Sequence, residues 1–193
     1  AIQGFYDEHS RMDHVEACRK IAITLPGPES DQLAEIARKF KVYLVAQAKV
    51  IEPEIIKDRF FNTYFIIDPD GKIIHKHRKG RVFTPESTTT PVDVYDIWKE
   101  KVGSGLDAFY PVCDTPIGRI GTMICYEGYF METGRMLALN GAEILCRGGE
   151  LEHHTNIGVW EVMNRAHALN NSCYMVAANN GPKFHTTDES VPS

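Results

Sequence analysis

The sequence is short of the features that mark several large protein classes. No apolar run approaches the roughly 20 residues that a bilayer span needs, so no membrane-spanning helix is expected. The stretch Ala1-Ile2-Gln3-Gly4-Phe5-Tyr6 has no basic region followed by an apolar core, so no signal peptide is expected. No CxxC pair occurs. The five cysteines, Cys18, Cys113, Cys125, Cys146 and Cys173, are odd in number and widely spaced. That pattern argues against a zinc ribbon or a disulfide scaffold and for a reducing, cytoplasmic setting. Positive charge is in deficit, with 21 Lys and Arg against 26 Asp and Glu and a net charge of −5. Such a surface does not hold a polyanion without a local basic patch, so nucleic acid is not the expected partner. Internal repeats and linker-like segments are also missing.

What is present is ordinary globular composition, 43% hydrophobic and 24% charged over 193 residues. The length favours a single domain over residues 1–193. Pro26-Gly27-Pro28 marks a break. After it, Ser30 or Asp31 can cap a helix carrying Leu33, Ile36, Ala37 and Phe40 at helical spacing. Residues 42–46 read as a buried strand. Residues 62–67 and 72–77 flank the turn Asp68-Pro69-Asp70-Gly71 and make the clearest hairpin. Residues 80–108 read as a long loop with at most one short helix, a length usually tied to function or mobility. Residues 117–124 form a strand that runs straight into Cys125. A helix over 130–140 follows, with Gly141 as its C-terminal cap. Then come a strand over 142–146, a helix over 159–170 and a strand over 173–178. Residues 186–193 are polar and expected to fray. Short strands alternating with helices predict a layered α/β fold, and the apolar run Tyr174-Met175-Val176-Ala177-Ala178 predicts sheet buried on both faces.

Cys125 ends a buried strand just before a loop and a helix. A nucleophile benefits from that place, because the sheet edge holds its side chain while backbone N–H groups lie close. Its thiol needs a nearby cation or base to react at neutral pH. Taken alone, a cysteine at the end of an apolar strand is more often a core residue. The basic run His75-Lys76-His77-Arg78-Lys79-Gly80-Arg81 reads as a solvated strand end, with a phosphate site as the alternative. His75, His77, His153 and His154 could in principle ligate a metal, but the acidic partners and spacing of such sites are absent. No metal is expected from this pattern.

The joint pattern decides between these readings. Gly121-Thr122-Met123-Ile124-Cys125-Tyr126-Glu127-Gly128-Tyr129-Phe130-Met131-Glu132 resembles the G-x-x-I-C-Y-D/E-x-x-F/Y-P-E motif of the nitrilase superfamily of carbon–nitrogen hydrolases, departing at Met131. His77-Arg78-Lys79 resembles its Y-R-K. Asn140-Gly141-Ala142-Glu143-Ile144-Leu145 is similar to its G-A-E stretch. Trp160, the run Arg165–Asn171 and Tyr174–Asn179 resemble a later helix and strand. The aliphatic amidase and formamidase branch is the nearest in pattern, through Gly4-Phe5-Tyr6-Asp7, Arg147 and the stretch Glu100–Gly105.

This resemblance implies a four-layer α-β-β-α sandwich and a Glu-Lys-Cys amidohydrolase whose mechanism requires no cofactor. Cys125 would be the nucleophile and Lys79 the catalytic lysine. Glu100 would be the second glutamate that supports the lysine, with Glu86 as its rival. The Tyr126 N–H and Arg147 would serve the oxyanion or the substrate. The expected substrate is a small neutral amide, with a carbamoyl compound or a nitrile as the alternative. A non-catalytic binding member of the same fold is the competing class. A homodimer or higher homo-oligomer is implied, formed through the helix after Cys125 and the helix carrying Trp160. The family's general-base glutamate would precede Ala1, since Glu8 falls on the wrong side of Gly4. By this resemblance the chain corresponds to the middle of a family member.

Overall fold

The computed structural model describes residues 14–83, 86–149 and 157–179. The expectations placed on Ala1–Asp7, Glu8, His153, His154 and residues 186–193 lie outside the described residues. Two helices, α1 (His14–Lys20) and α2 (Pro28–Phe40), precede an antiparallel sheet of β1 (Leu44–Ile51), β2 (Phe60–Ile67) and β3 (Ile73–Arg78), in the order β1-β2-β3. Two short helices follow, α3 (Tyr95–Lys101) and α4 (Leu106–Phe109). The second sheet is built from β4 (Val112–Thr115), β5 (Gly118–Ile124), β6 (Ile144–Gly149) and β7 (Tyr174–Asn179), in chain order. In it β4 is antiparallel to β5, while β5, β6 and β7 run parallel. A 3-10 turn (Cys125–Tyr129) and α5 (Met131–Leu139) connect β5 to β6, and α6 (Val159–Asn171) leads into β7.

Strand alternation sorts the side chains into layers. Val50, Phe65 and Ile67 pack outward against Ala34 and Ala37 of α2. Ile66 turns the other way and meets Ile120 and Cys146 of the second sheet. On that sheet's far face, Met123 and Leu145 pack on Leu137 of α5, with Met175 alongside. The result is helix, sheet, sheet, helix: the four-layer α/β sandwich expected from the sequence. Strand β2 is buried along its whole length, as the central strand of a covered sheet should be.

Several local expectations shift. Helix α2 starts at Pro28, whose fixed φ suits a first helical position. Its cap is Gly27, not Ser30 or Asp31. The Ser30 hydroxyl instead accepts the Gly27 N–H at 2.9 Å, and the Asp31 N–H bonds the Gly27 carbonyl. Strand β1 extends to Ile51 because the polar Gln47 and Lys49 alternate with Val50 and Ala48. Residues 80–108 hold two short helices rather than at most one. Trp98 anchors α3 by burying its ring against Ile55 and Phe61. Strand β7 is not buried on both faces, since Tyr174 is 79% and Val176 56% exposed. Among the described strands it is the edge of its sheet, which explains that exposure. Among the described residues, no helix is long and apolar enough to cross a membrane.

Candidate active site

The site forms where the parallel strands β5 and β6 end, the end at which open α/β sheets bind ligands. Strand β5 stops at Ile124, and Cys125 takes φ 50°, a left-handed conformation that costs a non-glycine residue about 1–3 kcal/mol. That sharp strand-to-turn reversal lifts the thiol out of the sheet. Gly149, at the end of β6, lies beside it, and a Cβ there would stand 3.3 Å from the Cys125 Sγ.

The strained backbone is held from behind by Arg147. Its Nε and Nη2 donate to the Cys125 carbonyl at 3.1 and 2.9 Å, and Nη1 donates to Asn164 Oδ1 of α6 at 3.1 Å. The guanidinium is 2% exposed and lies 4.4 Å above the Trp160 ring. Gly128 gives it passage, because a Cβ there would fall 2.1 Å from Nε. Burial lowers the Arg147 pKa to about 10, still far above neutrality, so the group is a buried cation behind Cys125. The sequence expectation gave Arg147 to oxyanion or substrate. The observed geometry commits its donors to the Cys125 backbone and to Asn164.

Lys79 is buried, 1% exposed, just past the end of β3. Its N–H bonds the Asn62 carbonyl at 2.8 Å, so β2 fixes its backbone. Its ammonium pairs with Glu86 Oε2, and Asn62 Nδ2 donates to Glu86 Oε1. Gln47 Nε2 holds the Asn62 amide in turn, at 2.7 Å from Oδ1. Glu86 is therefore the partner of Lys79, and Glu100 is not. The reason lies in the chain path. After Lys79 the backbone loops out and returns beside β2, where the Thr89 N–H bonds the Phe60 carbonyl and Thr88 Oγ1 accepts the Asn62 N–H. That return carries Glu86 to Lys79. Glu100 is exposed on α3. It follows the buried Trp98 by two residues, about 200° around a helix, and so faces the opposite way.

A second carboxylate lies beneath both groups. Glu127 is 1% exposed; Oε1 accepts the Gly80 N–H at 2.7 Å, and Oε2 accepts the Ile124 N–H at 2.7 Å and meets His77 Nε2 at 2.8 Å. Burial pushes the Glu127 pKa up, but His77 and the two amides outweigh it and hold the carboxyl below its ordinary value. His75 is a core histidine. Its Nε2 meets Thr122 Oγ1 at 3.0 Å across the sheets, and burial, helped by His77 and Arg78, lowers its pKa to about 3. Tyr126 packs against Phe83 at 5.4 Å, and also contacts Tyr129 and Phe130. Among the described residues, no group of three metal-ligating side chains gathers.

The model of the family described as carbon-nitrogen hydrolase matches residues 2–185. The chain belongs to the carbon–nitrogen hydrolase family. It is 31% identical over 154 residues to omega-amidase NIT2-B of Xenopus laevis, covering 80% of this chain and 53% of that protein. It is 34% identical over 158 residues to formamidase of Bacillus cereus (strain B4264), covering 81% and 42%. This carbon–nitrogen hydrolase chain thus spans about half the length of the curated relatives it matches. Its fold resembles that of Saccharomyces cerevisiae Nit3, a member of branch 10 of the nitrilase superfamily, with a TM-score of 0.68 at 24% identity over 90% of this chain and 59% of that one. An amidase from Nesterenkonia sp. gives a TM-score of 0.63 at 20% identity over 88% and 59%. Within this carbon–nitrogen hydrolase, sequence reasoning passed over Asn62 and the role of Glu127. Glu127 had a signal: a carboxylate two residues after a candidate nucleophile, flanked by apolar sequence. Asn62 had none, because its partners are 24 and 26 residues away.

Proposed function

We propose that the protein hydrolyses a small amide to a carboxylic acid and ammonia, with Cys125 as the nucleophile. The observation that carries this reading is the single cluster joining a strained Cys125, a buried Lys79–Glu86 pair and the buried Glu127. The amidase and formamidase relatives favour an amide over a nitrile or a carbamoyl compound.

In the first half-reaction the Cys125 thiolate attacks the amide carbonyl carbon. A C–S bond forms and the carbonyl electrons move onto oxygen. The Lys79 ammonium and the Tyr126 N–H stabilise that oxyanion, in a site where low dielectric strengthens each interaction. Collapse breaks the C–N bond, the nitrogen takes the proton that the thiol gave up on becoming a thiolate, and ammonia leaves a thioester on Cys125. Water then attacks the thioester, forming a C–O bond and breaking the C–S bond. The acid departs and the thiol returns. A general base must take the water's proton, and Glu86 and Glu127 are already committed to Lys79 and to His77 with two backbone amides. Glu86 keeps Lys79 charged and aimed. Self-association through α5 and α6 belongs to the same proposal, and the exposed Leu139, Val162 and Leu169 supply apolar surface for it.

The test is ammonia release from a panel of short aliphatic amides, formamide included. Wild-type protein is expected to release ammonia and Cys125→Ala none. Turnover retained in Cys125→Ala refutes the assignment. Absence of turnover on every amide, nitrile and carbamoyl compound favours the non-catalytic alternative.

A further inference from the structure

We propose that Glu127 is a positioning residue for this site: one buried carboxylate, with His77 as its partner, holds the Lys79 loop and the Cys125 turn in mutual register. The inference rests on the amidohydrolase reading for its reaction consequences but not for its geometry.

The two candidate catalytic residues belong to different sheets. Lys79 follows β3 in the first sheet, and Cys125 follows β5 in the second. Among the described strands, no backbone ladder joins those sheets. Packed sheets meet through side chains about 10 Å apart, and apolar contact is non-directional, so it does not fix one sheet's offset on the other. One directional bond, His75 with Thr122, crosses within the core, and Glu127 supplies direction at the site itself. Its Oε1 takes the amide of Gly80, the residue after Lys79. Its Oε2 takes the amide of Ile124, the residue before Cys125. Each candidate catalytic residue is therefore one peptide unit, about 3.8 Å between Cα atoms, from an amide held by the same carboxylate.

Both oxygens are needed and both are used. His77 comes from the strand that leads to Lys79, so it adds a third tie from the first sheet to the same group. Other charged or titratable groups around the carboxylate have their own partners or lie at longer range. Tyr64 of β2 feels Glu127 and Cys125. Arg147 of β6 passes over Gly128 to the Cys125 carbonyl. His167 of α6 meets the Gly128 carbonyl at 2.8 Å. A buried carboxylate is costly unless it is paired and hydrogen-bonded, and an apolar side chain could fill the same space. What an apolar side chain could not do is hold two amides from two sheets.

The experiment uses Glu127→Gln in the full protein and measures how fast iodoacetamide alkylates Cys125. The readout is tryptic peptide 120–135, which contains no other cysteine. Glutamine has one oxygen for two amides, so one tether is lost. Misplacing Lys79 slows alkylation at neutral pH by about tenfold or more, the effect of losing one charge-assisted hydrogen bond. Removing a negative charge near the thiol, with no change in position, does the opposite and speeds alkylation. The sign therefore separates positioning from simple electrostatics. A rate unchanged or raised in folded Glu127→Gln overturns the proposal. If that variant fails to fold, Glu127→Asp retains the charge but is one methylene short of spanning both amides. It is expected to show the same slowing, and wild-type rates in it overturn the proposal equally. On amides, kcat is expected to fall with KM little changed. A wild-type protein that turns over no amide refutes the reaction reading, while the alkylation rate still decides the register.

Discussion

Replacing Glu86 with glutamine removes the charge that Lys79 is buried against. Both Glu86 oxygens are engaged, Oε2 by the Lys79 ammonium and Oε1 by Asn62 Nδ2. Glutamine offers one oxygen to these two donors and turns an N–H toward one of them. Either the ammonium or the Asn62 amide then loses its acceptor. Side-chain exposures of 1% for Lys79 and 8% for Glu86 mean that water cannot fill in. Breaking a buried pair from one side costs about 3–5 kcal/mol, against about 0–1 for an exposed pair. For a chain of this length each kcal/mol lowers Tm by about 2–4 °C, so the expected drop is roughly 6–20 °C. Glu100→Gln is the matched control, expected to change stability by less than about 0.5 kcal/mol because its side chain faces solvent. Thermal unfolding of both variants, followed by ammonia release at a temperature where both are folded, gives the answer. Glu86→Gln is expected to lose turnover as well as stability, since an ill-placed lysine no longer serves the oxyanion. A Glu100→Gln variant that loses as much, or a Glu86→Gln variant that matches wild type in both, refutes the assignment of Glu86.

Gly128→Ala places a methyl 2.1 Å from Arg147 Nε, so the arginine must leave the Cys125 carbonyl. Turnover is expected to fall at least tenfold while circular dichroism stays native, and wild-type turnover would show that the arginine contact is dispensable. Arg147→Met removes the cation but fills its volume. It is expected to cost about 1–3 kcal/mol in urea unfolding, from the buried Cys125 carbonyl left unpaired; a stabilised variant would mean that desolvation of the cation outweighs its bonds. His75 has a folded-state pKa lowered to about 3 against an ordinary 6.5, so the unfolded chain binds its proton first. Its contribution is complete above pH 6.5 and is lost as pH falls toward 3, at about 1.4 kcal/mol per pH unit. His75→Gln is expected to flatten the acid limb of stability in that window, and an unchanged limb would place the acid sensitivity elsewhere.

The parts of the site legible in sequence are those whose neighbours in space are neighbours in the chain. Cys125 ends a strand with a clear apolar pattern, and Lys79 ends one arm of a hairpin set by Asp68-Pro69-Asp70-Gly71. The sequence points to Glu100 before Glu86 because residues 80–108 lack periodicity, and loop spacing does not tell where a side chain points. Two contacts with β2, through Thr88 and Thr89, decide the matter, and a sequence pattern does not show them. Trp98 shows the converse: a large apolar residue in a stretch rich in charge and turn residues anchors α3 against Ile55 and Phe61. The exposure of β7 is not legible in sequence because an apolar run reports affinity for a covered sheet, whereas Tyr174 and Val176 lie at the edge of the described one.

The distribution of buried charge in this site follows from its construction on two sheets. A nucleophile and a cation on one strand would be aligned by backbone geometry alone. Here Lys79 and Cys125 follow strands of different sheets, whose apolar interface, Ile66 with Ile120 and Cys146, resists separation more than sliding. Directional bonds must then cross that interface, and in low dielectric such bonds are strong only when every donor and acceptor is matched. His75 with Thr122 is one such crossing, and Glu127 with Gly80, Ile124 and His77 is another. The second ends one residue from each of the two candidate catalytic residues, so an error in it reaches both with almost no leverage lost. Reactivity of Cys125 should therefore respond to Glu127 more sharply than overall stability does. The opposite ranking, a large fall in Tm with Cys125 alkylation unchanged in the folded fraction, would mean that the apolar interface alone fixes the register.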